Sequence, residues 1–170
     1  MRLADEPSHA CAPDATCSGS GRLRATSCMS GRVFVDTNVL VYAHDVSTGD
    51  RHEKARSLVE TLWHERTGAL STQVLQELYV SLRRKAGRPM TSAQAREVVA
   101  DYLRWEVVVN SGESILDAIA LEERYQLSFW DALVIGAARE CGAETLYSED
   151  LSHGQVYDSV KVVNPFRAPG

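Results

Sequence analysis

The chain has 170 residues, a length typical of one domain. Hydrophobic residues make up 44% of it and charged residues 24%, which predicts a globular fold with a substantial core, and no apolar run is long enough to span a bilayer. The formal net charge of −5 argues against a protein that holds nucleic acid through overall positive charge, although local basic patches or metal ions can still offset the acids.

Residues 1–29 differ in composition from the rest of the chain. They are rich in Ser, Ala, Gly and Pro and nearly free of large apolar side chains, so they cannot bury enough surface to offset the entropy of ordering. We therefore predict a disordered leader at 1–29, a folded domain at 30–166 and a short tail at 167–170. A native translation start at Met29 would remove the leader, and a genuine flexible tail is the alternative.

The cysteines indicate no disulfide framework. Cys11, Cys17 and Cys28 lie in the leader at spacings that match no zinc signature. Cys141 stands alone in a helical pattern, where we expect a buried and inert thiol. This usage favours a reducing cytoplasm.

Strand and helix patterns alternate after the leader. Apolar and β-branched runs predict strands at Arg32–Val35, Ala69–Leu70, Trp105–Val109 and Thr145–Tyr147, and an edge strand at Lys161–Val163. Periodicity and capping residues predict helices at Val39–Ala43, Arg51–Arg66, Gln73–Arg84, from Thr91 or Ser92 to Leu103, from Ser111 to Tyr125, and from Ser128 to the stop at Gly142. In the helix after Ser111, the apolar side is expected to carry Ile115, Leu116, Ile119 and Ala120.

This alternation predicts an α/β fold, a three-layer α/β/α sandwich around a central, mostly parallel sheet. Ligands of such sheets bind beyond the carboxyl ends of the strands. The functional residues are therefore expected just after strands and in the adjoining helix turns.

Four acids occupy such positions. Asp36 follows the first strand, Glu77 lies in the apolar helix QVLQELYVSL, Asp131 lies in FWDALVIGAA, and Asp150 follows the strand TLY. Carboxylates that meet raise one another's pKa values, and a hard cation such as Mg²⁺ or Mn²⁺ compensates for them. Such a site activates water and stabilises a pentavalent phosphorus, as phosphodiester hydrolysis requires.

Each acid also has a structural explanation. Asp36 can cap the helix that follows it, and Glu77 can be a solvated helix residue. Asp131 fits a Ser-x-x-Asp capping box with Ser128, and Asp150 can be an ordinary turn aspartate. From the residues alone, the catalytic and the structural roles both stay open.

The ordered motifs VDTNVLVY, QVLQELY, LSFWDALVIGAA and LYSEDLSHGQ resemble PIN-domain ribonucleases, and within them the VapC-type toxins of bacterial toxin–antitoxin pairs. The match covers about residues 32–165. The resemblance implies a PIN-like α/β/α fold and cleavage of RNA by water that Mg²⁺ or Mn²⁺ activates, with 5′-phosphate and 3′-hydroxyl products. It also implies homodimers and a cognate antitoxin as inhibitor.

Individual roles follow from the same resemblance. The implied metal ligands and catalytic acids are Asp36, Glu77, Asp131 and Asp150. Asn38 is expected to brace the site by hydrogen bonding to its backbone, and Ser148 to orient a ligand or water.

A basic run follows the Glu77 helix and consists of Arg83, Arg84, Lys85 and Arg88. These side chains can contact RNA phosphates, or they can be a solvated helix end where cations suit the dipole. The acidic site itself would attract a basic side chain of an antitoxin.

Two other functions fit part of the pattern. Phosphatases and phosphotransferases also carry an aspartate at a first-strand tip, although they often use Asp-x-Asp and this chain has Asn38. A non-catalytic PIN-like binding module is the second alternative, although all four acids are present.

Overall fold

A computed structural model describes residues 31–84 and 87–167. The strands are β1 Val33–Val35, β2 Gly68–Ser71, β3 Glu106–Val108, β4 Thr145–Tyr147, β5 Val156–Tyr157 and β6 Val160–Val163. The helices are α1 Thr37–His44, α2 Asp50–Glu65, α3 Thr72–Arg84, α4 Ser92–Tyr102, α5 Gly112–Tyr125 and α6 Phe129–Glu140, with a short 3₁₀ turn at Val46–Thr48. The expectations for residues 1–29, Lys85 and residues 168–170 lie outside the described residues.

The six strands form one sheet in the order β3-β2-β1-β4-β6-β5. All neighbours are parallel except β5 and β6, which are antiparallel. Helices flank this sheet, so the predicted three-layer α/β/α architecture is confirmed. In the described part of the chain, no helix is long and apolar enough to cross a membrane.

The prediction of Lys161–Val163 as an edge strand is wrong. The strand β6 lies between β4 and β5, and β5 forms the edge instead. Two residues are too few for a periodic signal, and β5 is formed by a tight turn in which Asp158 adopts a left-handed conformation, with φ of 51°.

The expected apolar side of α5 does not face the core. Ile115, Leu116 and Ile119 are 46%, 68% and 40% exposed, whereas Ala118 and Leu121 are buried. The helix approaches α6 closely at Gly136, where an added Cβ would stand 3.6 Å from Leu121. This close approach selects the Ala118–Leu121 stripe for burial and leaves the isoleucine stripe outside.

The core is built where the helices cover the sheet. Its largest fully buried side chains include Phe34 on β1, Leu70 on β2 and Leu146 on β4. Cys141, at the end of α6, is buried as predicted, and burial raises the pKa of its thiol.

The order of the strands fixes where a ligand can bind. From β1 the chain crosses to β2 on one side, and β4 later pairs with β1 on the other side. The carboxyl ends of β1 and β4 thus form the point where the winding of the sheet reverses, which is the usual ligand position in open α/β sheets. The Asp36 amide continues the sheet there by donating to the Tyr147 carbonyl over 2.9 Å.

Candidate active site

Asp36 lies at the carboxyl end of β1 and caps helix α1. Its Oδ1 accepts a hydrogen bond of 2.7 Å from the Thr37 amide. Its Oδ2 accepts from the Ser148 hydroxyl at 2.7 Å and from Asn38 Nδ2 at 3.0 Å. The structural and the functional explanations of Asp36 are thus compatible, because one oxygen caps the helix while the other joins a network of side chains.

Burial dominates the electrostatics of Asp36. Desolvation raises the pKa of this carboxyl from 3.8 to about 6, against the opposing hydrogen bonds from Ser148 and Thr37. This pKa of about 6 already includes a smaller rise caused by the negative charges of Asp150 and Glu77. A carboxylate in this position gains from any cation that arrives beside it.

Glu77 reaches the same place from α3. Its Oε2 accepts a hydrogen bond of 2.8 Å from the Thr37 hydroxyl, and its Oε1 accepts one of 2.9 Å from Gln73 Nε2, one helical turn earlier. Gln73 is buried, and its Oε1 has no hydrogen-bond partner within the described residues. Both carboxylate oxygens of Glu77 are therefore held, one by the first residue of α1 and the other by a residue of α3.

Asp150 joins the network through Asn38. The amide nitrogen of Asn38 donates to Asp150 Oδ2 at 3.0 Å, as it does to Asp36 Oδ2. The Asn38 oxygen accepts from the Glu149 amide at 3.3 Å, and the Asp150 amide donates to the Ser148 hydroxyl at 3.2 Å. Asn38 and Ser148 thus link the tips of β1 and β4.

The Glu149 side chain turns away from the other acids. It accepts a 2.7 Å hydrogen bond from the Tyr42 hydroxyl and forms a bidentate ion pair with Arg51. The Arg51 guanidinium also lies over the rings of Tyr42 and Phe166, 5.2 Å and 5.9 Å from their centroids. This cluster fixes the turn that carries Asp150 against α1 and α2.

Asp131 stands apart from the other three acids. Its Oδ2 accepts a 2.7 Å hydrogen bond from the Ser128 hydroxyl, and the Asp131 amide donates to Ser128 Oγ at 3.1 Å. Ser128 thus caps α6 through its side chain, but the Asp131 carboxylate bonds the Ser128 hydroxyl and not the Ser128 amide, so only half of the expected capping box forms. The structure brings Asp36, Glu77 and Asp150 into one network, and within the described residues it gives no hydrogen bond between that network and Asp131.

In the described part of the basic run, no side chain forms a hydrogen bond or ion pair with these carboxylates. Arg83 donates to the Met90 carbonyl at 2.9 Å, and Arg84 and Arg88 are exposed, while Lys85 lies outside the described residues. The described arginines of this run also do not line the open cleft that lies beside Glu77 and Asp150. An RNA-contacting role for the run stays a prediction.

An open cleft of about 650 Å³ leads to the network. Its polar part includes Asn38, Glu77 and Asp150, and its apolar walls include Val80 and Trp130. This volume lies in the range that is usual for ligand-binding clefts.

The donor atoms suit a hard cation. The described part of the chain has no group of three or more His, Cys, Asp or Glu side chains close enough to hold a metal ion as they stand. However, Mg²⁺ typically uses one or two carboxylates and keeps several waters, and Asp36, Glu77 and Asp150 supply such oxygens. The unpartnered Gln73 Oε1 is a further oxygen acceptor next to Glu77, so the residues fit Mg²⁺ or Mn²⁺.

Several residues of this site were not predicted from the sequence. Thr37 is signalled by its place in the turn DTN, and Gln73 by its spacing of four from Glu77, which puts both on one helix face. The cluster of Tyr42, Arg51 and Glu149 joins three elements and has no local signal.

Comparison with known proteins agrees with this architecture. A model of the PIN domain matches residues 33–158. VapC20 of Mycobacterium tuberculosis, a sarcin-ricin loop cleaving toxin, is 24% identical with a TM-score of 0.54, over 68% of this chain and 88% of that chain.

Two toxin–antitoxin assemblies are also similar in structure. A toxin-antitoxin complex from Klebsiella pneumoniae matches with 20% identity and a TM-score of 0.59, over 80% of this chain and 99% of that chain. VapBC2 from Rickettsia felis, bound to a DNA fragment from its promoter, matches with 21% identity and a TM-score of 0.53, over 76% and 96%. At these identities the likeness establishes a shared fold. A search of curated protein sequences found no significant match.

Proposed function

The chain belongs to the PIN domain family, and from this premise we propose that it is a Mg²⁺- or Mn²⁺-dependent endoribonuclease and the toxin of a toxin–antitoxin pair. The observation that carries the proposal is the network of Asp36, Glu77 and Asp150 at the switch point of the sheet, open to a cleft. The structural likeness to toxins of this kind supports it.

In this proposal, Asp36, Glu77 and Asp150 hold the cation. A bound Mg²⁺ or Mn²⁺ supplies an activated water and offsets the charge that develops on the phosphate. The protein's part is to keep the oxygens in place: Thr37 and Gln73 fix the two oxygens of Glu77. Asn38 and Ser148 act as supporting residues that fix Asp36 and Asp150.

Asp131 remains the fourth acid of the proposal. Its neighbour Trp130 lines the cleft, so the first turn of α6 reaches the site. In the structure, Ser128 holds the Asp131 carboxylate. We expect Asp131→Asn to lower cleavage while Ser128→Ala, which frees the carboxylate, lowers it less.

Growth arrest in bacteria tests the proposal. Expression of the wild-type protein is expected to stop growth, and Asp36→Asn to relieve the arrest. Glu113→Gln, which removes an exposed acid on α5, is the matched control and should arrest growth as the wild type does. Equal arrest by the wild type and Asp36→Asn would refute toxicity through this site.

Biochemistry separates the alternatives. Purified protein should cleave RNA with Mg²⁺ or Mn²⁺, lose the activity in EDTA, and leave 5′-phosphate and 3′-hydroxyl ends. A 2′,3′-cyclic phosphate would contradict attack by water. Turnover of p-nitrophenyl phosphate without RNA cleavage would favour the phosphatase alternative, and absence of metal binding by calorimetry would favour the binding module.

An antitoxin and a second copy of the chain are the proposed protein partners, with action in the cytoplasm. The acidic cleft suits a basic side chain of an antitoxin. The exposed stripe of Ile115, Leu116 and Ile119 on α5 offers an apolar surface for a homodimer. Light scattering should show a dimer that Leu116→Glu dissociates, and a wild-type monomer would contradict this.

A further inference from the structure

Trp130 stands out among the three tryptophans of the chain because it is a 61% exposed residue. Trp63 and Trp105 pack against each other, with ring centroids 5.4 Å apart, inside a cluster of aromatic side chains. Trp130 instead lies on the wall of the cleft that Glu77 and Asp150 also line. A large aromatic surface is therefore presented to the candidate active site.

The cleft is poorly suited to holding phosphates by charge. Among the described residues, neither lysine nor arginine lines it, while two acids do. Arg51 contacts Tyr42, which lines the cleft, but both of its terminal nitrogens are already bonded to Glu149 or to the Tyr42 hydroxyl. The walls near the carboxylates offer apolar surface instead, since Val80 is 43% exposed there.

The position of Trp130 is tied to the catalytic carboxylates. Its carbonyl accepts a long hydrogen bond of 3.5 Å from Gln73 Nε2, the atom that also holds Glu77. Phe129 contacts the ring at an interplanar angle of 71°, with centroids 5.4 Å apart, so it does not stack on it in parallel. Gln73 thus holds the backbone of Trp130, while much of the side chain stays exposed.

We propose that Trp130 is a stacking platform for an unpaired nucleobase beside the cleaved phosphate. A nucleobase is flat and neutral, so it suits an apolar wall that lacks cations, and every base has a face that stacks on an aromatic ring. In paired RNA the bases are stacked on one another and cannot reach the indole. The inference rests on the proposed ribonuclease function and adds to it a residue that contacts an unpaired base of the substrate.

Binding of short oligonucleotides tests the platform directly. All proteins carry Asp36→Asn so that RNA stays intact, and the probes are a short oligoadenylate and an abasic ribose-phosphate oligomer of equal length. Trp130→Ala should weaken oligoadenylate binding about tenfold and leave binding of the abasic oligomer unchanged. Trp130→Phe should restore most of the affinity. Oligoadenylate should quench the tryptophan fluorescence of the parent protein, which keeps Trp130, and should not quench that of the Trp130→Ala and Trp130→Phe variants.

Leu103→Ala is the matched control, because Leu103 is 60% exposed at the end of α4, outside the cleft. It should bind both probes like its parent. An equal loss of both probes in Trp130→Ala, or no loss of either, would overturn the platform. If antitoxin binding falls while oligoadenylate binding does not, the indole belongs to a protein interface and the proposal is wrong.

Cleavage by proteins with an intact Asp36 separates this inference from the function on which it rests. Trp130→Ala should raise KM for single-stranded RNA about tenfold and change kcat little. A wild-type protein that cleaves no RNA would contradict the ribonuclease itself. Wild-type cleavage that Trp130→Ala keeps at full kcat/KM would contradict the platform alone.

Discussion

The Ser148 hydroxyl donates a 2.7 Å hydrogen bond to the Asp36 carboxylate and so joins two residues that are 112 positions apart in the sequence. The bond connects the tips of β4 and β1, the two strands at which the winding of the sheet reverses. It also opposes the rise in the pKa of Asp36 that burial causes. Ser148 thus influences both where the carboxylate lies and at which pH it is charged.

Ser148→Ala is expected to shift the pH dependence of RNA cleavage. Removal of the hydroxyl takes away the hydrogen bond that most favours the ionised form of Asp36, so the pKa of Asp36 rises above its present value of about 6. At subsaturating Mg²⁺, where protons and the cation compete for Asp36, the acidic limb of kcat/KM against pH should move to higher pH. Ser152→Ala, on the exposed loop nearby, should leave the profile in place, and an unshifted profile in Ser148→Ala would contradict this role.

Asp36 is also expected to destabilise the metal-free fold at neutral pH. Below pH 3.8 the carboxyl is protonated in both the folded and the unfolded chain, so it costs nothing. As pH rises from 3.8 to about 6, the unfolded chain releases this proton while the folded chain keeps it, so stability falls. Above about 6 the folded chain carries the buried charge and the loss is complete. A pKa raised from 3.8 to about 6 corresponds to a loss of about 3 kcal/mol.

Asp36→Asn should therefore increase the free energy of unfolding at pH 7 in EDTA by about 1–3 kcal/mol, the lower values reflecting an amide that cannot accept every hydrogen bond. At the acidic end of the range the two proteins should be equally stable. Added Mg²⁺ should stabilise the wild type and not the variant. Denaturant titrations across pH check this, and a variant less stable than the wild type at pH 7 would disprove it.

Much of this site follows from the order of the chain. Asp36 and Asp150 each come just after a parallel strand, and the carboxyl ends of such strands meet at one edge, so their proximity was predictable. Asp131 was not predictable in the same way, because a local hydrogen bond to Ser128, three residues away, competes with its proposed role at the site. Sequence position alone does not decide between a local cap and a distant cluster.

The misassigned parts of the fold share a physical cause. The α5 helix has two apolar stripes, and Gly136 on α6 decides which of them is buried, although it lies in another element. The strand β5 has two residues and depends on pairing with β6. Long elements with their own periodicity were predictable, whereas features set by contacts with a distant element were not.

Asn38 is expected to be needed for metal affinity. Its amide nitrogen donates to both Asp36 and Asp150, so it holds two carboxylates together that would otherwise repel each other. Asn38→Ala should lower Mn²⁺ affinity and cleavage about 10–100-fold, the usual effect of removing a residue that orients metal ligands. Gln76→Ala, an exposed amide lining the same cleft, is the control for calorimetry with Mn²⁺. Equal affinities in the two variants would argue against the bridge.

Arg51 is expected to act on the site through Glu149. The bidentate ion pair and the contact with Tyr42 hold the turn whose next residue is Asp150. Arg51→Ala should speed hydrogen exchange at the amides of Glu149 and Asp150 and lower Mn²⁺ affinity about tenfold, the lower end of the usual range for residues that orient metal ligands. Because Arg51 and Glu149 are partly exposed, the free energy of unfolding should fall by no more than about 1 kcal/mol.

Two further variants separate positioning from charge. Arg51→Lys keeps the charge but cannot form the two parallel hydrogen bonds, so it should restore stability more than Mn²⁺ affinity. Arg56→Ala removes an exposed arginine that pairs with Glu53 and Glu60 on α2, and should change neither exchange at the turn nor metal affinity. Slow exchange at Asp150 in Arg51→Ala, with unaltered Mn²⁺ affinity, would show that the turn holds its carboxylate in place without this arginine.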